Sequence, residues 1–215
     1  MDQDSGLRER LIDVGVELVT TEGTGALGLR EIARRAGVSH GAPRRYFATH
    51  QALLSAIARR GFADLGARVP AAIAAAGTGP DASADPREQL RALGRAYVGF
   101  ALEQRGMFEL MFRHDLLDGT GQEGPAGPRL RDSTLPLFEL LVSLVTRCEP
   151  AGPPRTTAAA LWANLHGVAQ LWSWGSLPLV LGSRAQAGPA DPVDALAEEL
   201  AEVLVDAAVD AHLRP

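Results

Sequence analysis

Apolar side chains in this chain recur every three or four residues and never alternate over a useful length, and that spacing limits its fold more than any other feature. Leu7, Leu11, Val14 and Leu18 mark a first helix, with Gly23 and Gly25 placed to end it. Leu29, Ile32, Ala33 and Ala36 form a second, short stripe that Gly37 stops. Ser39 suits the N-cap of a third short helix ending at Tyr46-Phe47, because its hydroxyl can accept a first-turn N–H. Leu53, Leu54, Ile57, Phe62 and Leu65 mark a long fourth helix over 50–75, starting at the cap Thr49. Further helices are predicted at about 87–104, 106–116, 129–149, 155–176 and 192–213, separated by Gly/Pro-rich loops. The predicted fold is all-α.

At 215 residues with 46% hydrophobic content, the chain can bury one large core or two small ones. Its single cysteine, Cys148, has no partner for a disulfide or a cysteine metal cluster. The start MDQDSGLRER is polar and lacks the apolar run of a secretory signal, so a reducing cytoplasm is the expected location. No metal or cofactor is expected. The histidines at 40, 50, 114, 166 and 212 have no ligand spacing, no glycine-rich loop follows a strand, and Cys148 has no activating base; an enzyme is therefore not expected.

Charge is distributed unevenly. The formal net charge is -5, yet residues 30–68 carry eight arginines against only Glu31 and Asp64. All 21 basic residues of the chain are arginine. Such an island fits a polyanion, because neutralising phosphates releases counterions. It equally fits a solvated helix face.

Two short helices about the tight corner Ala36-Gly37-Val38-Ser39, with Val38 turned inward, have the pattern of a helix-turn-helix, although an ordinary helical hairpin shares that turn. The stretch LREIARRAGVSHGAPRRYFATHQALL resembles the helix-turn-helix of the TetR family of bacterial repressors, whose pattern runs roughly IA-x-x-AGVS-x-G-x-x-Y-x-x-F-x-x-K-x-x-L. The resemblance covers about 50 N-terminal residues. It implies a three-helix DNA-binding domain over 1–50 and a helical ligand-binding and dimerisation domain over 51–215. It makes Ile32, Ala33, Ala36, Gly37, Val38 and Phe47 scaffold. His40 and Ala42 stand where the family's recognition helix meets base edges, and Arg45 and Tyr46 face the groove or the backbone. The implied DNA-contacting set is Arg30, Ser39, His40, Gly41, Ala42, Arg44, Arg45, Tyr46 and His50.

Three positions depart from the family pattern. Arg44 replaces a phosphate-binding tyrosine, His50 a lysine, and Gly28 the Ser/Thr cap of helix two. Arginine holds phosphate in a bidentate fork, so Arg44 keeps that contact, whereas His50 is a weaker phosphate ligand than lysine. Pro43 removes one N–H in the first turn after Ser39, where the loss costs least.

Residues 156–183 contain no acid and no arginine. Asn164, His166, Gln170, Ser173, Ser176 and Pro178 argue against a membrane span. A helix this apolar is expected to be buried on two sides, with Ala158 to Ala160, Ala163 and Gly167 letting another helix approach. In the last helix Val193, Leu196, Leu200, Val203, Leu204 and Ala207 form a stripe, and Asp194, Glu198, Glu202, Asp206 and Asp210 form an acidic face. The family resemblance implies a homodimer through the helices near 155–176 and 192–213, with two recognition helices set for a palindromic operator in double-stranded DNA.

WANLHGVAQLWSWG resembles the Trp-x-x-x-His-Gly signature of one class of TetR C-terminal domains, with Trp162, His166 and Gly167 in register. Trp162 and His166 either line a pocket or belong to the core, with His166 satisfied by a neighbouring carbonyl. YVGFALEQRGMFELMF places Tyr97, Phe100, Met107, Phe108, Met111 and Phe112 on consecutive helices. With Phe138, Trp162 and His166 they are the candidate lining for a small apolar effector, or simply core. His114 and Asp115 could add polar contacts. The resulting expectation is a sequence-specific transcriptional repressor released by a small molecule. The alternative is a helical dimeric interaction module whose arginine patch binds an acidic protein surface.

Overall fold

A computed structural model of the chain describes residues 2–77, 85–113, 115–117, 130–181 and 193–213. His114 and most of the predicted loops lie outside these residues. The helices are α1 (Asp2–Glu22), α2 (Leu29–Arg35), α3 (His50–Ala76), α4 (Pro86–Glu103), α5 (Arg105–Phe112), α6 (Leu130–Arg147), α7 (Pro154–Ser173), α8 (Ser176–Val180) and α9 (Val193–His212), with 3-10 turns at Thr24–Ala26 and Ala42–Arg45. No strand occurs among the described residues, so the fold is all-α.

The chain forms two compact units, Met1–Asp64 with Gln104–Leu135, and Leu65–Glu103 with Pro136–Pro215. This partition differs from a cut at residue 50, because the first half of α3 and all of α5 pack with α1 and α2. Two prolines lie inside helices, Pro70 in α3 and Pro136 in α6. Both are exposed, so the carbonyls that lose an N–H partner face water.

In the first unit, Leu11, Ile12, Leu18 and Val19 of α1 pack with Ile32 and Ala33 of α2, Leu53 and Ile57 of α3, and Met107, Leu110 and Met111 of α5 in the buried core. Leu7 and Val14, expected in the apolar stripe of α1, are only half-buried. Gly23 (φ 81°, ψ -178°) ends α1 in a positive-φ conformation that favours glycine, its N–H donating to Val19 O at 3.2 Å. Gly25 is not a cap but sits inside the following 3-10 turn. Gly106 permits the closest approach in this unit: a Cβ there would lie 2.1 Å from Val19 O, a backbone atom that cannot swing aside.

The second unit packs α4, α7 and α9 together. Gly94 lets α9 close in, since a Cβ at that position would meet Val205 Cγ1 at 2.6 Å. The face of α9 turned inward is Ala201, Val205, Ala208 and Val209. This corrects the expected stripe: Val203 is 59% exposed and Ala207 is exposed, while Leu200 and Leu204 are half-buried. Small residues won the inward face because only they fit against α4 at Gly94. The acidic face is not free either. Asp206 accepts from Arg95 and Asp210 from Arg91, both on α4.

Helix α7 ends at Gly175 (φ 75°), which separates it from the short α8 that the sequence spacing placed in a loop. Its buried face is Ala158, Leu161, Leu165, Val168, Ala169 and Trp172. Ala159, Ala160 and Ala163 are exposed. Among the described residues no helix is long and apolar enough to cross a membrane.

Candidate nucleic-acid interface

Helix α2 starts at Gly28, whose carbonyl accepts from Ile32 N at 3.0 Å without a side-chain cap. It ends in a Schellman motif: Gly37 (φ 69°) donates to Arg34 O at 3.1 Å and Val38 to Ala33 O at 3.0 Å. A side chain at 37 would be strained by that positive φ, which explains glycine at the corner. Of the expected scaffold positions, Ile32, Ala33, Ala36 and Phe47 are buried and Val38 is half-buried, while Gly37 at the corner is exposed.

The segment that follows is not the α-helix expected from the sequence. It is a 3-10 turn over Ala42–Arg45 with Gly41, rather than Ser39, at its N-cap. Ser39 contributes its carbonyl, which accepts from Ala42 N at 2.9 Å. Pro43 has no N–H to complete the α-helical bond to that carbonyl, and the i+3 bond takes its place. Pro43 is buried, and its carbonyl accepts from both Tyr46 N and Phe47 N. Phe47 anchors the turn in the core beneath the Arg8 guanidinium, 5.3 Å from the ring centroid.

Scaffold and surface therefore separate cleanly. Arg30, Ser39, His40, Gly41, Arg44 and Arg45 are exposed, while Ala42 and Tyr46 are half-buried. Thr49 caps α3 as expected, its hydroxyl accepting from Ala52 N at 3.0 Å. His50 Nε2 lies 2.7 Å from Leu27 O. A carbonyl only accepts, so Nε2 carries the proton and that nitrogen ties α3 to the segment before α2 instead of pointing at a ligand.

The arginine island is less uniform than its sequence suggests. Arg34 and Arg35 are bound to Glu31, and Arg35 also to Glu22. Arg60 is bound to Glu9 and Asp13, and Arg68 to Glu103. Arg34 and Arg35 hold the Glu31 carboxyl far below the usual carboxylate range, at about 2. Among the described residues, Arg30, Arg44 and Arg45 make no ion pair, so those three guanidiniums are presented to solvent at and beside the turn.

The expected effector lining falls into two groups. Met107, Phe108 and Met111 are buried in the first unit, where Met107 and Met111 fill the space left by Gly61, and Phe112 meets Phe62 edge-on at 5.7 Å. Three of these four are buried and Phe112 is half-buried. In the second unit the Tyr97 hydroxyl lies 2.8 Å from His166 Nδ1, and Trp162 Nε1 donates to it from 3.3 Å. Phe138 packs edge-on against Trp162 at 6.3 Å, and Phe100 is buried beneath the Arg68 guanidinium. His166 is satisfied by the Tyr97 side chain as well as held in the bundle, an arrangement that helical spacing between α4 and α7 could not reveal.

Sequence spacing also missed a cleft of about 210 Å³ in the first unit, lined by Asp13, Val16, Arg60, Gly61, Asp64, Gln104 and Met107. Only Met107 belonged to the expected set. Among the described residues no group of three or more His, Cys, Asp or Glu is arranged to hold a metal ion.

A buried scaffold that carries a tight corner and a short turn, with three unbridged arginines outward, defines a helix-turn-helix DNA-binding regulator. Comparison with known families makes the class specific. Residues 11–57 match the bacterial regulatory proteins of the tetR family, and residues 90–204 match the tetracyclin repressor-like C-terminal domain, more than half of the chain. The chain belongs to the TetR family of transcriptional regulators, proteins that are regulators rather than enzymes. It is similar to a protein of unknown function from Rhodococcus sp. RHA1, with 30% identity, 97% of this chain and 94% of that one covered, and a TM-score of 0.67. It is similar to the multidrug binding protein EbrR complexed with imidazole, at 27% identity over 92% of this chain and 93% of that one, TM-score 0.50. It shares the fold of RolR in complex with resorcinol, at 20% identity over 100% of this chain and 96% of that one, TM-score 0.58. No curated protein matches the chain.

Proposed function

We propose that the chain is a homodimeric, cytoplasmic repressor that binds a palindromic operator and leaves it when a small apolar effector binds. The observation that carries the DNA reading is the exposed, unbridged trio Arg30, Arg44 and Arg45 around the Ala42–Arg45 turn. Arg44 and Arg45 contact phosphate or guanine, Arg30 contacts phosphate, and His40 meets a base edge, with Ser39, Gly41, Ala42 and Tyr46 shaping the same surface. His50 contributes through its hold on Leu27 O, which sets where α3 begins.

Dimerisation through α7 and α9 is supported by apolar surface on both: Trp162 and Leu171 of α7 are each 41% exposed, and Val203 of α9 is 59% exposed. A two-fold pair of recognition turns then reads two half-sites. For the effector we favour the aromatic group Tyr97, Phe138, Trp162 and His166, a wall suited to a flat ring that carries a hydrogen-bonding substituent. RolR with resorcinol and EbrR with imidazole each hold a small flat ring with hydrogen-bonding groups. The effector acts by binding better to a state that fits the operator poorly, and its effect is limited by that difference in affinity.

Selection from a random duplex library tests this reading, followed by fluorescence anisotropy of the enriched sequence at several salt concentrations. An inverted repeat bound tightly with a steep salt dependence is the expected result. A pool with no enriched repeat would overturn the operator reading, and equal operator affinity with and without a bound effector would overturn the release mechanism.

A further inference from the structure

Arg34 and Arg35 occupy the last turn of α2, and Arg34 lies one helical turn beyond Arg30, on the same face. Neither offers its charge freely. Glu31 accepts from Arg34 Nε at 2.9 Å and Nη2 at 2.6 Å, a two-point fork, and from Arg35 Nε at 2.9 Å. The other end of the Arg35 guanidinium donates to Glu22, at the end of α1. Two arginines thus face two carboxylates, and the cluster is neutral.

Stability is a poor explanation for this arrangement. The Arg34 and Glu31 side chains are 65% and 34% exposed and those of Arg35 and Glu22 30% and 46%, so each pair keeps access to water and contributes little to folding. What the cluster does change is the field met by a phosphate beside α2. Sequence-independent affinity for DNA is almost wholly electrostatic and grows with each phosphate that is neutralised. Discrimination is the ratio of operator affinity to that background, so a cation that contacts any duplex equally well erodes it.

Resting on the DNA-binding reading above, we propose that Glu31, assisted by Glu22, is a specificity-determining residue that keeps Arg34 and Arg35 from phosphates and so holds affinity for arbitrary DNA down. Operator contacts are left to the three unbridged arginines and His40. Glu31 is suited to the task because two guanidiniums keep it ionised far into the acid range, so the restraint does not lapse near neutral pH.

The test uses the full chain with Glu31→Gln, which removes the charge and preserves the shape. Anisotropy against a random-sequence duplex and against the enriched duplex is measured across a salt series. Glu88→Gln is the control, since it deletes a carboxylate paired to Arg91 in the other compact unit. For Glu31→Gln, which frees Arg34 while Arg35 stays on Glu22, the slope of log affinity against log salt on random DNA is expected to steepen by about one, and affinity near 0.1 M salt to rise on the order of tenfold. The operator-to-random ratio falls. Glu22→Gln leaves Arg35 on Glu31 but removes one of the two carboxylate charges that offset the pair, so it gives a smaller steepening; it also carries the test if Glu31→Gln does not fold. Slopes for both variants equal to those of the wild type or of Glu88→Gln would overturn the proposal. A wild type that binds no duplex at all would instead overturn the DNA-binding reading.

Discussion

Tyr97 on α4 and His166 on α7 are joined through the tyrosine hydroxyl and Nδ1, 2.8 Å apart, while the Trp162 indole N–H donates to the same oxygen at 3.3 Å. An indole N–H can only donate, so the Tyr97 oxygen accepts from Trp162 while it shares a hydrogen bond with His166 Nδ1. Tyr97 is 7% exposed, and loss of its oxygen removes the contact it makes with both ring nitrogens. Tyr97→Phe is expected to lower unfolding free energy by about 1–3 kcal/mol, read from urea denaturation. Unchanged stability would mean that the hydroxyl is not engaged in the folded protein.

Burial also raises the Tyr97 phenol above its ordinary pKa. The folded state therefore disfavours phenolate relative to the unfolded chain. The contribution is intact below the unfolded tyrosine value of about 10 and is lost as pH rises through the higher folded value. Urea midpoints are expected to fall between about pH 9 and 11 more steeply for the wild type than for Tyr97→Phe. Parallel profiles would refute this.

Gly106→Ala brings a methyl group to within 2.1 Å of Val19 O unless α1 and α5 move apart. Alanine improves helix propensity by at most about 1 kcal/mol, and overpacking against backbone outweighs it. A net loss of about 1–3 kcal/mol is expected in thermal or denaturant unfolding. Gly15→Ala is expected to cost less, because its obstacle is the far end of the Ile57 side chain.

Arg44→Ala is expected to weaken binding to all duplexes and to flatten the salt slope by about one, whereas His40→Ala shifts which sequences are enriched. Selection repeated with each variant separates the two. A uniform loss from His40→Ala, with altered preference from Arg44→Ala, would exchange their roles.

Thr49→Ala removes the hydroxyl that accepts from Ala52 N at the start of α3. A loss of about 1 kcal/mol in urea denaturation is the expected cost of that cap. No measurable change would show that the α3 N-terminus is held by other groups.

Much of the architecture was legible in the sequence because it is local. Helix periodicity, the corner at Gly37 and the Thr49 cap involve residues a few positions apart, and helix-turn chemistry acts over that range. The helix-turn-helix resemblance had the same basis: a short motif whose buried positions face inward whatever the rest of the chain does.

Where reading failed, the deciding partner lay far away in sequence or a single atom was missing. The Ala42–Arg45 turn is 3-10 because one proline lacks one N–H. The inward face of α9 follows from Gly94 more than a hundred residues earlier, which admits Val205 and turns Val203 outward. The effector lining divided because Met107, Phe108 and Met111 pack in the first unit while Tyr97 meets Trp162 and His166 in the second. By itself the sequence determined the long helices, the Gly37 corner, the Thr49 cap and the class of motif, since these depend on backbone geometry and near neighbours. The pairs of Glu31 with Arg34 and Arg35 lie three and four residues apart on one helix, where periodicity already brings them together. Only the tertiary structure decided the pairs between helices, Arg35 with Glu22 and Arg60 with Glu9 and Asp13, because these depend on how elements distant in sequence pack.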